Sequence, residues 1–218
     1  MRTFTLFGAI LSLAALPMVG HAEDGEWASV KLGTLGLGAE FGGSFNPNWA
    51  ARVDVNGFDY NYHHVVNQID YTGKLKLASF GAQIDYSFTD GSPFYLTAGL
   101  YANNNKINAS AAPTSTTTIG IIPYTPAEIG TLSGHGQYGS SAPYLGLGWR
   151  WPLGPVLIHL EAGAYFQGKA HVTLTSDGTL AGNAAYQAQL ATERQDLQND
   201  MNKLSTYPVA EVGLGYRF

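Results

Sequence analysis

Apolar and polar residues alternate with a period of two along much of this chain. In one segment Val156, Ile158 and Leu160 occupy one side, while His159 and Glu161 occupy the other. This period is typical of a β-strand with two different faces, because successive side chains of a strand point to opposite sides. A strand needs about 10 residues to cross a membrane. Seven segments of suitable length show the pattern: 35–42, 49–56, 79–88, 94–101, 144–151, 156–166 and 209–218.

The ionisable residues of these segments all fall on the polar side of the alternation. An Arg or Lys that faced lipid near the bilayer midplane would cost about 2–4 kcal/mol. The same side is rich in glycine, which fits a narrow lumen where large and small side chains interdigitate. A soluble β-sandwich would instead carry more Lys, Glu and Thr on its outer face. The pattern predicts a polar network in the lumen of a transmembrane barrel, formed by Glu40, Arg52, Asp54, Asp85, Arg150, His159, Glu161, Glu211 and Arg217.

Two interpretations of this lumen set stay open. An eight-stranded barrel is just wide enough for its own side chains to fill it, so the set can act as an ion-pair network that plugs the lumen. Alternatively, it lines a narrow polar path or a ligand slot. Five of its members are acids and three are arginines. A path of this composition would therefore favour cations.

The connections between the strands alternate in length. Short ones at 46–48, 90–93 and 152–155 are separated by longer ones at 63–70 and 103–136, and by a third that reaches residue 205. Short periplasmic turns and long outer loops are typical of outer-membrane barrels.

The number of strands follows from parity. If both termini are periplasmic, the number of strands is even, so the seven segments must be joined by an eighth strand. Residues 27–32 supply it, because Ala28, Val30 and Leu32 run in the opposite phase to Leu35. A bulge near Gly33 within one long first strand is the competing account. We predict an all-β fold, an antiparallel transmembrane β-barrel of eight strands.

Two connections have features of their own. The segment 183–204 predicts a short helix in the last outer loop, with Leu190, Leu197 and Leu204 seven residues apart. This helix either packs on the barrel rim or contacts a partner. The segment 103–136 is rich in Thr, Ser, Ala and Pro, and predicts a surface loop that can present an adhesive or receptor surface.

Composition agrees with an exported membrane protein. Charged residues make up only 12% of the chain, it has 27 glycines and no cysteine, and its net charge of −5 disfavours nucleic acid as a partner. Residues 1–22 read as a signal peptide: Arg2 precedes an apolar run at 4–16, and small residues precede position 23. The barrel domain would then comprise residues 23–218.

The end of the chain carries a family resemblance. Residues 212–218, Val-Gly-Leu-Gly-Tyr-Arg-Phe, resemble the C-terminal signature of Gram-negative outer-membrane β-barrels, with Leu214, Tyr216 and Phe218 as its signal residues. Residues 35–60 resemble a hairpin of small OmpA/OmpW-like barrels. This resemblance implies location in the outer membrane and three kinds of partner: the β-barrel assembly machinery, outer-membrane lipid with lipopolysaccharide, and an extracellular partner at the outer loops.

The function expected from these features is a structural or surface-interaction role, and a narrow porin-like channel is the alternative. A membrane-embedded lipid-modifying enzyme is disfavoured, because no Ser-His-acid arrangement is convincing by spacing. We therefore expect neither enzymatic activity nor a cofactor. His63, His64 and Asp70 would bind a metal only if another loop lent a ligand.

Overall fold

The computed structural model describes residues 25–66 and 69–218, so the predicted signal peptide lies outside the described residues. The described chain is mostly β-strand with two helices. In chain order the elements are β1 (Glu26–Gly33), β2 (Gly36–Asn46), β3 (Trp49–Val66), β4 (Ile69–Tyr86), β5 (Phe94–Asn103), β6 (Lys106–Pro113), β7 (Thr117–Ile119), β8 (Ile122–Tyr124), α1 (Pro126–Ile129), β9 (Leu132–Gln137), β10 (Ser141–Leu153), β11 (Val156–Phe166), β12 (His171–Ser176), α2 (Ala184–Asn202) and β13 (Thr206–Arg217).

Eight strands form a closed antiparallel barrel, as predicted. Their order around the barrel is β1, β2, β3, β4, β5, β10, β11 and β13, and β13 pairs back onto β1. The eighth strand is β1, whose Val30 and Leu32 point outward. The barrel therefore has no free edge, and its backbone groups are satisfied between strands, as a membrane requires.

A tight turn, and no bulge, separates β1 from β2. Gly33 pairs with Gly36 across a two-residue connection of Thr34 and Leu35. Gly36 has φ 104°, a left-handed conformation that glycine adopts without a steric penalty. The turn directs Leu35 inward, where it is buried. The predicted alternation over 35–42, which places Leu35 on the same side as Leu37, is therefore wrong for Leu35, because the alternation of β2 begins only after the turn.

The outside of the barrel is apolar. Val30, Leu32 and Leu37 expose more than 60% of their area, and Leu145 and Leu214 more than half. A continuous apolar surface of this kind is not stable in water but suits contact with acyl chains.

The two ends of the barrel differ, and we name them by their connections. The short-turn end carries both ends of the described chain and the connections at 47–48, 87–93 and 154–155. Asn46 fixes the first of these turns, because its side-chain oxygen accepts hydrogen bonds from the backbone N–H groups of Asn48 and Trp49, both at 2.9 Å. The other end is the long-loop end.

The barrel sheet extends beyond the long-loop end, and we call this extension the outer sheet. It consists of the upper parts of β3 and β4 together with β6, β9 and β12, in that order. The sequence interpretation of 63–70 as a long loop is wrong, because β3 and β4 pair up to Val66 and Ile69. The predicted loop 103–136 contains β6, β7, β8, α1 and part of β9. Its Thr, Ser and Ala residues alternate too weakly in hydropathy to reveal these strands.

The apolar series at 168–174 continues the phase of the segment that begins at Val156, but it does not prolong that strand. β11 ends at Phe166, and β12 pairs with β9. Gly168, with φ 74°, lies between the two strands. Periodicity indicates that a segment is a strand, but it does not identify the partner strand.

Helix α2 packs on the outer sheet. Asn183 caps its N-terminus by accepting hydrogen bonds from the backbone of Ala185 and Tyr186. Tyr186 and Leu190 are buried, whereas Leu197 exposes 44% of its area, so the packed face is shorter than the predicted series of leucines. The cluster beneath the helix contains Ile119, Tyr124 and Ile129, with Leu132, Leu174 and Leu180 at its border. In the described part of the chain, each helix is too short or too polar to span a bilayer.

Candidate functional site

The lumen is filled by side chains in successive layers, beginning near the short-turn end. Arg150 lies between two rings, 4.2 Å from the Trp27 centroid and 4.3 Å from the Tyr95 centroid. Its guanidinium also donates to Asp85 at 2.6 Å. Trp27 packs with Ala50 and Leu157. A cation between two aromatic faces is held by the ring quadrupoles as well as by its carboxylate.

Arg52 is the centre of the next layer. It donates to Glu40 at 2.7 Å, to Glu161 at 2.5 Å and to Asp85 at 3.2 Å, and it is itself 2% exposed. A guanidinium has five donors in one plane, which lets a single residue serve three carboxylates from three strands.

Neighbouring side chains complete the hydrogen bonding of these carboxylates. Glu161 accepts from Tyr95 and from Tyr144, each at 2.7 Å. Glu40 accepts from the indole N–H of Trp27 at 2.8 Å. Buried carboxylates are tolerated when their oxygens are paired in this way.

The third layer is organised by Lys31, a residue that the sequence analysis missed. Its ammonium pairs with Asp54 and, at 3.0 Å, with Glu211. Tyr101 also donates to Asp54 at 3.0 Å. Lys31 lies between the outward Val30 and Leu32, so the same rule of phase would have found it once residues 27–32 were taken as a strand.

An apolar layer closes the lumen towards the long-loop end. Tyr101 packs edge-on against Tyr144 and Tyr165, with centroid distances of 5.7 and 5.2 Å. Leu35 from the first turn and Val209 from β13 complete the cluster with Ala142. Thr34 holds the turn in place, because its backbone N–H and its hydroxyl donate hydrogen bonds to backbone carbonyl oxygens of β13.

The structure brings eight of the nine predicted lumen residues into this interior. Seven of them are less than 9% exposed: Glu40, Arg52, Asp54, Asp85, His159, Glu161 and Glu211. Arg150 is partly buried, and Arg217 lies at the short-turn end, half-buried, where its backbone N–H donates to Pro155. Sequence reasoning missed further polar residues that are hydrogen-bonded within the network, and these are Trp27, Lys31, Asn56, Gln83, Tyr95, Thr97, Tyr101 and Tyr144.

The charge balance of the lumen is the expected one, because Lys31 joins the interior while Arg217 lies at the short-turn end. The predicted set had five acids and three arginines, which favoured cations in a conducting path. The interior now holds five carboxylates against Lys31, Arg52 and Arg150, and side chains occupy the space along the axis. The plugged interpretation therefore describes this lumen better than an open polar path does.

The outer sheet has one strongly polar face. Three rows of cross-strand neighbours cover it, and a concavity of about 590 Å³ lies over the second and third rows. From the barrel outward the rows are Asp59–Lys76–Lys106–Gln137–His171, Asn61–Lys74–Asn108–His135–Thr173 and His63–Thr72–Ser110–Ser133–Thr175.

This polar face is the continuation of the lipid-facing side of the barrel. On β3, Val53 and Val55 have the same parity as Asp59 and Asn61, and the β3–β4 register is unbroken between them. The change from apolar to charged residues marks where the strands leave the hydrocarbon. Within the first row Lys76 lies directly opposite Lys106, an arrangement of like charges that is unfavourable by itself.

The histidines of the polar face do not assemble a metal site. His63 lies 3.4 Å from Asp70 with both side chains exposed, and His135 bonds Asn108 at 2.6 Å. Within residues 25–66 and 69–218, three potential ligands come together at Glu40, His159 and Glu211.

The C-terminal signal residues lie on the outside of the barrel. Leu214, Tyr216 and Phe218 each expose more than half of their area. Phe218 stacks on Phe41 at 6.3 Å and on Tyr216 at the same distance.

Comparison with solved structures supports the fold. The chain is similar to Acinetobacter baumannii CarO, with a TM-score of 0.61 and 21% identity over 90% of this chain and 98% of that chain. CarO2 of the same organism gives a TM-score of 0.62 and 19% identity over 89% of this chain and 99% of that chain. No protein-family model matches the sequence, and no curated protein matches it. The protein thus has the eight-stranded fold of outer-membrane β-barrels, and the narrower resemblance to OmpA/OmpW-like barrels stays a prediction.

Proposed function

We propose that this protein is a non-enzymatic outer-membrane barrel that acts through surface contacts and does not conduct solutes. The observation that carries the proposal is the filled lumen. Arg150, Arg52, Lys31 and Tyr101 occupy successive layers, and each is held by partners from other strands. A solute path would require these buried pairs to separate.

The outer sheet supplies the contact surface in this proposal. Its first two rows carry Lys74, Lys76 and Lys106, and they continue the surface that touches acyl chains. In the expected orientation, these lysines lie at the level of the lipopolysaccharide headgroups, whose phosphates are anionic. A bound phosphate would also relieve the repulsion between Lys76 and Lys106. Lipopolysaccharide is therefore the partner proposed for this face.

Two measurements test this function. In planar bilayers, the purified barrel is expected to show no steady conductance, and an open channel of regular amplitude would overturn the closed-lumen part.

The surface contact is tested by measuring how much lipopolysaccharide each barrel binds. The variant carries Lys74→Gln, Lys76→Gln and Lys106→Gln. Binding should fall and lose its salt dependence. A matched variant with Lys169→Gln and Lys203→Gln, which changes lysines outside the rows, should bind normally. Equal binding by both variants would overturn the lipopolysaccharide contact.

A further inference from the structure

We propose that Glu40, His159 and Glu211 form a buried site for one divalent transition-metal cation inside the barrel. Each residue offers one ligand atom, and these atoms all lie within 4.8 Å of one another. The three side chains come from β2, β11 and β13 and are 4%, 1% and 8% exposed. The site is independent of the outer-sheet contact proposed above.

His159 provides the evidence for a ligand. Both of its ring nitrogens are buried and have no hydrogen-bond partner within the described residues. A buried polar atom without a partner is costly, and native structures contain few of them. In a neutral imidazole one ring nitrogen carries a lone pair that can accept a hydrogen bond or coordinate a metal ion.

The backbone holds the imidazole firmly in this position. His159 lies opposite Gly213 on the neighbouring strand. A Cβ atom at position 213 would come within 2.1 Å of the ring. The glycine therefore gives the ring its space beside the strand, and a side chain at 213 would push it away from Glu40 and Glu211.

The charge of the interior favours a cation of charge two. Five buried carboxylates face three cationic side chains, a difference of two negative charges when His159 is neutral. Moreover, Glu161 lies directly opposite Glu211, and Glu40 directly opposite Asp54. Uncompensated charge in a desolvated interior is strongly unfavourable. One divalent ion at this site would balance it.

The existing hydrogen bonds are compatible with coordination. Glu40 accepts one bond at each carboxylate oxygen, from Trp27 and from Arg52, and each oxygen keeps a second lone pair. Lys31 bonds one oxygen of Glu211. These donors would orient the ligands, as outer-shell partners of metal sites do. One imidazole with two carboxylates suits Zn²⁺ or Cu²⁺ better than Ca²⁺ or Mg²⁺, which prefer all-oxygen sites.

Metal content tests the site. The protein is extracted from membranes in detergent, unfolded with chelator, refolded with Zn²⁺ and freed of excess metal. We expect one Zn²⁺ per chain by elemental analysis. His159→Phe, which keeps a ring but has no ligand atom, should lose the ion. A control variant with alanine at His63, His64, His135 and His171 should keep it, because these four histidines lie on strands of the outer sheet, away from the site.

Further readouts separate coordination from folding and from adventitious binding. The shift in gel mobility on heating reports the folded fraction of each variant. If His159→Phe does not fold, Glu211→Gln retains the shape and is expected to weaken Zn²⁺ binding. With Cu²⁺, the electron paramagnetic resonance spectrum should show coupling to a single nitrogen. The proposal is overturned if folded wild-type protein retains no Zn²⁺, or if only the surface-histidine variant loses it.

Discussion

The barrel and the outer sheet share the strands β3 and β4 but distribute polarity over them in opposite ways. Within the barrel, the outward side carries Val53 and Val55 and the inward side carries Arg52. Above it, the outward side carries Asn61 and the other side carries Tyr60. The alternation has the same period in both regions, because the strand geometry is the same. What differs is the surroundings of each face, so periodicity identifies strands, and polarity reports what each face contacts.

The largest expected effect comes from breaking the buried network at its centre. Arg52→Met leaves Glu40, Asp85 and Glu161 without their shared partner, and should lower the free energy of unfolding by about 3–5 kcal/mol. Urea unfolding of the refolded barrel in detergent measures the change. Lys74→Met on the outer sheet should change it by no more than about 0.5 kcal/mol. Similar losses for both variants would show that the network does not stabilise the barrel.

An arginine introduced on the outward face of β3 should have a different effect on stability at each of two heights. Val53→Arg introduces a guanidinium opposite acyl chains and should cost about 2–4 kcal/mol. Asn61→Arg, on the outer sheet, should be nearly neutral. Folding into lipid vesicles, followed by denaturant titration, compares the two variants. If Val53→Arg left the free energy of unfolding unchanged, this face of β3 would not contact lipid.

The smallest effect concerns a single carboxylate on the outer side, at helix α1. The backbone N–H and the hydroxyl of Thr125 donate to Glu128 at 2.7 and 2.8 Å and hold the pKa of this carboxyl below its usual 4.5. Its contribution to stability is complete above pH 4.5 and is lost as the pH falls through the lowered pKa. A carbon-detected NMR titration of the carboxyl measures that pKa.

A control variant separates the two donors of Thr125. Thr125→Val removes the hydroxyl but retains the backbone donor, so the pKa of Glu128 should return only part of the way to its usual value. If Glu128 titrates at its usual value in the wild-type protein, the capping interaction does not hold in solution.

The sequence predicted the barrel well because lipid imposes a strict rule on each strand. Misplaced charge is so costly that Glu161 and Arg52 revealed the inward face directly. Lys31 was missed because the charged residues were assigned to a face only in the seven regular segments, and residues 27–32 are not among them. The closing apolar layer was missed as well. Tyr101 and Tyr144 are aromatic, but their hydroxyl groups donate hydrogen bonds inside the polar lumen, so hydropathy alone does not place them there.

The outer sheet could not be predicted in the same way. Above the membrane no lipid imposes an apolar outer face on a strand, so residues such as Thr72 and Ser110 pair across strands without a strong apolar alternation. The pairing of β12 with β9 joins segments that are far apart in the chain, and hydropathy contains no information on such partners. The proximity of His159 to Glu40 and Glu211 could not be predicted either, because it depends on distances between three strands.

The reversal of polarity between Val55 and Asp59 also fixes how deep the barrel sits. Sliding the molecule inward by two residues, about 7 Å along a strand, would draw Asp59 and Lys76 into hydrocarbon. Sliding it outward by as much would lift Val55 and Phe80 into water. The vertical position is thereby confined from both directions, and the outer sheet stands at a fixed height above the lipid.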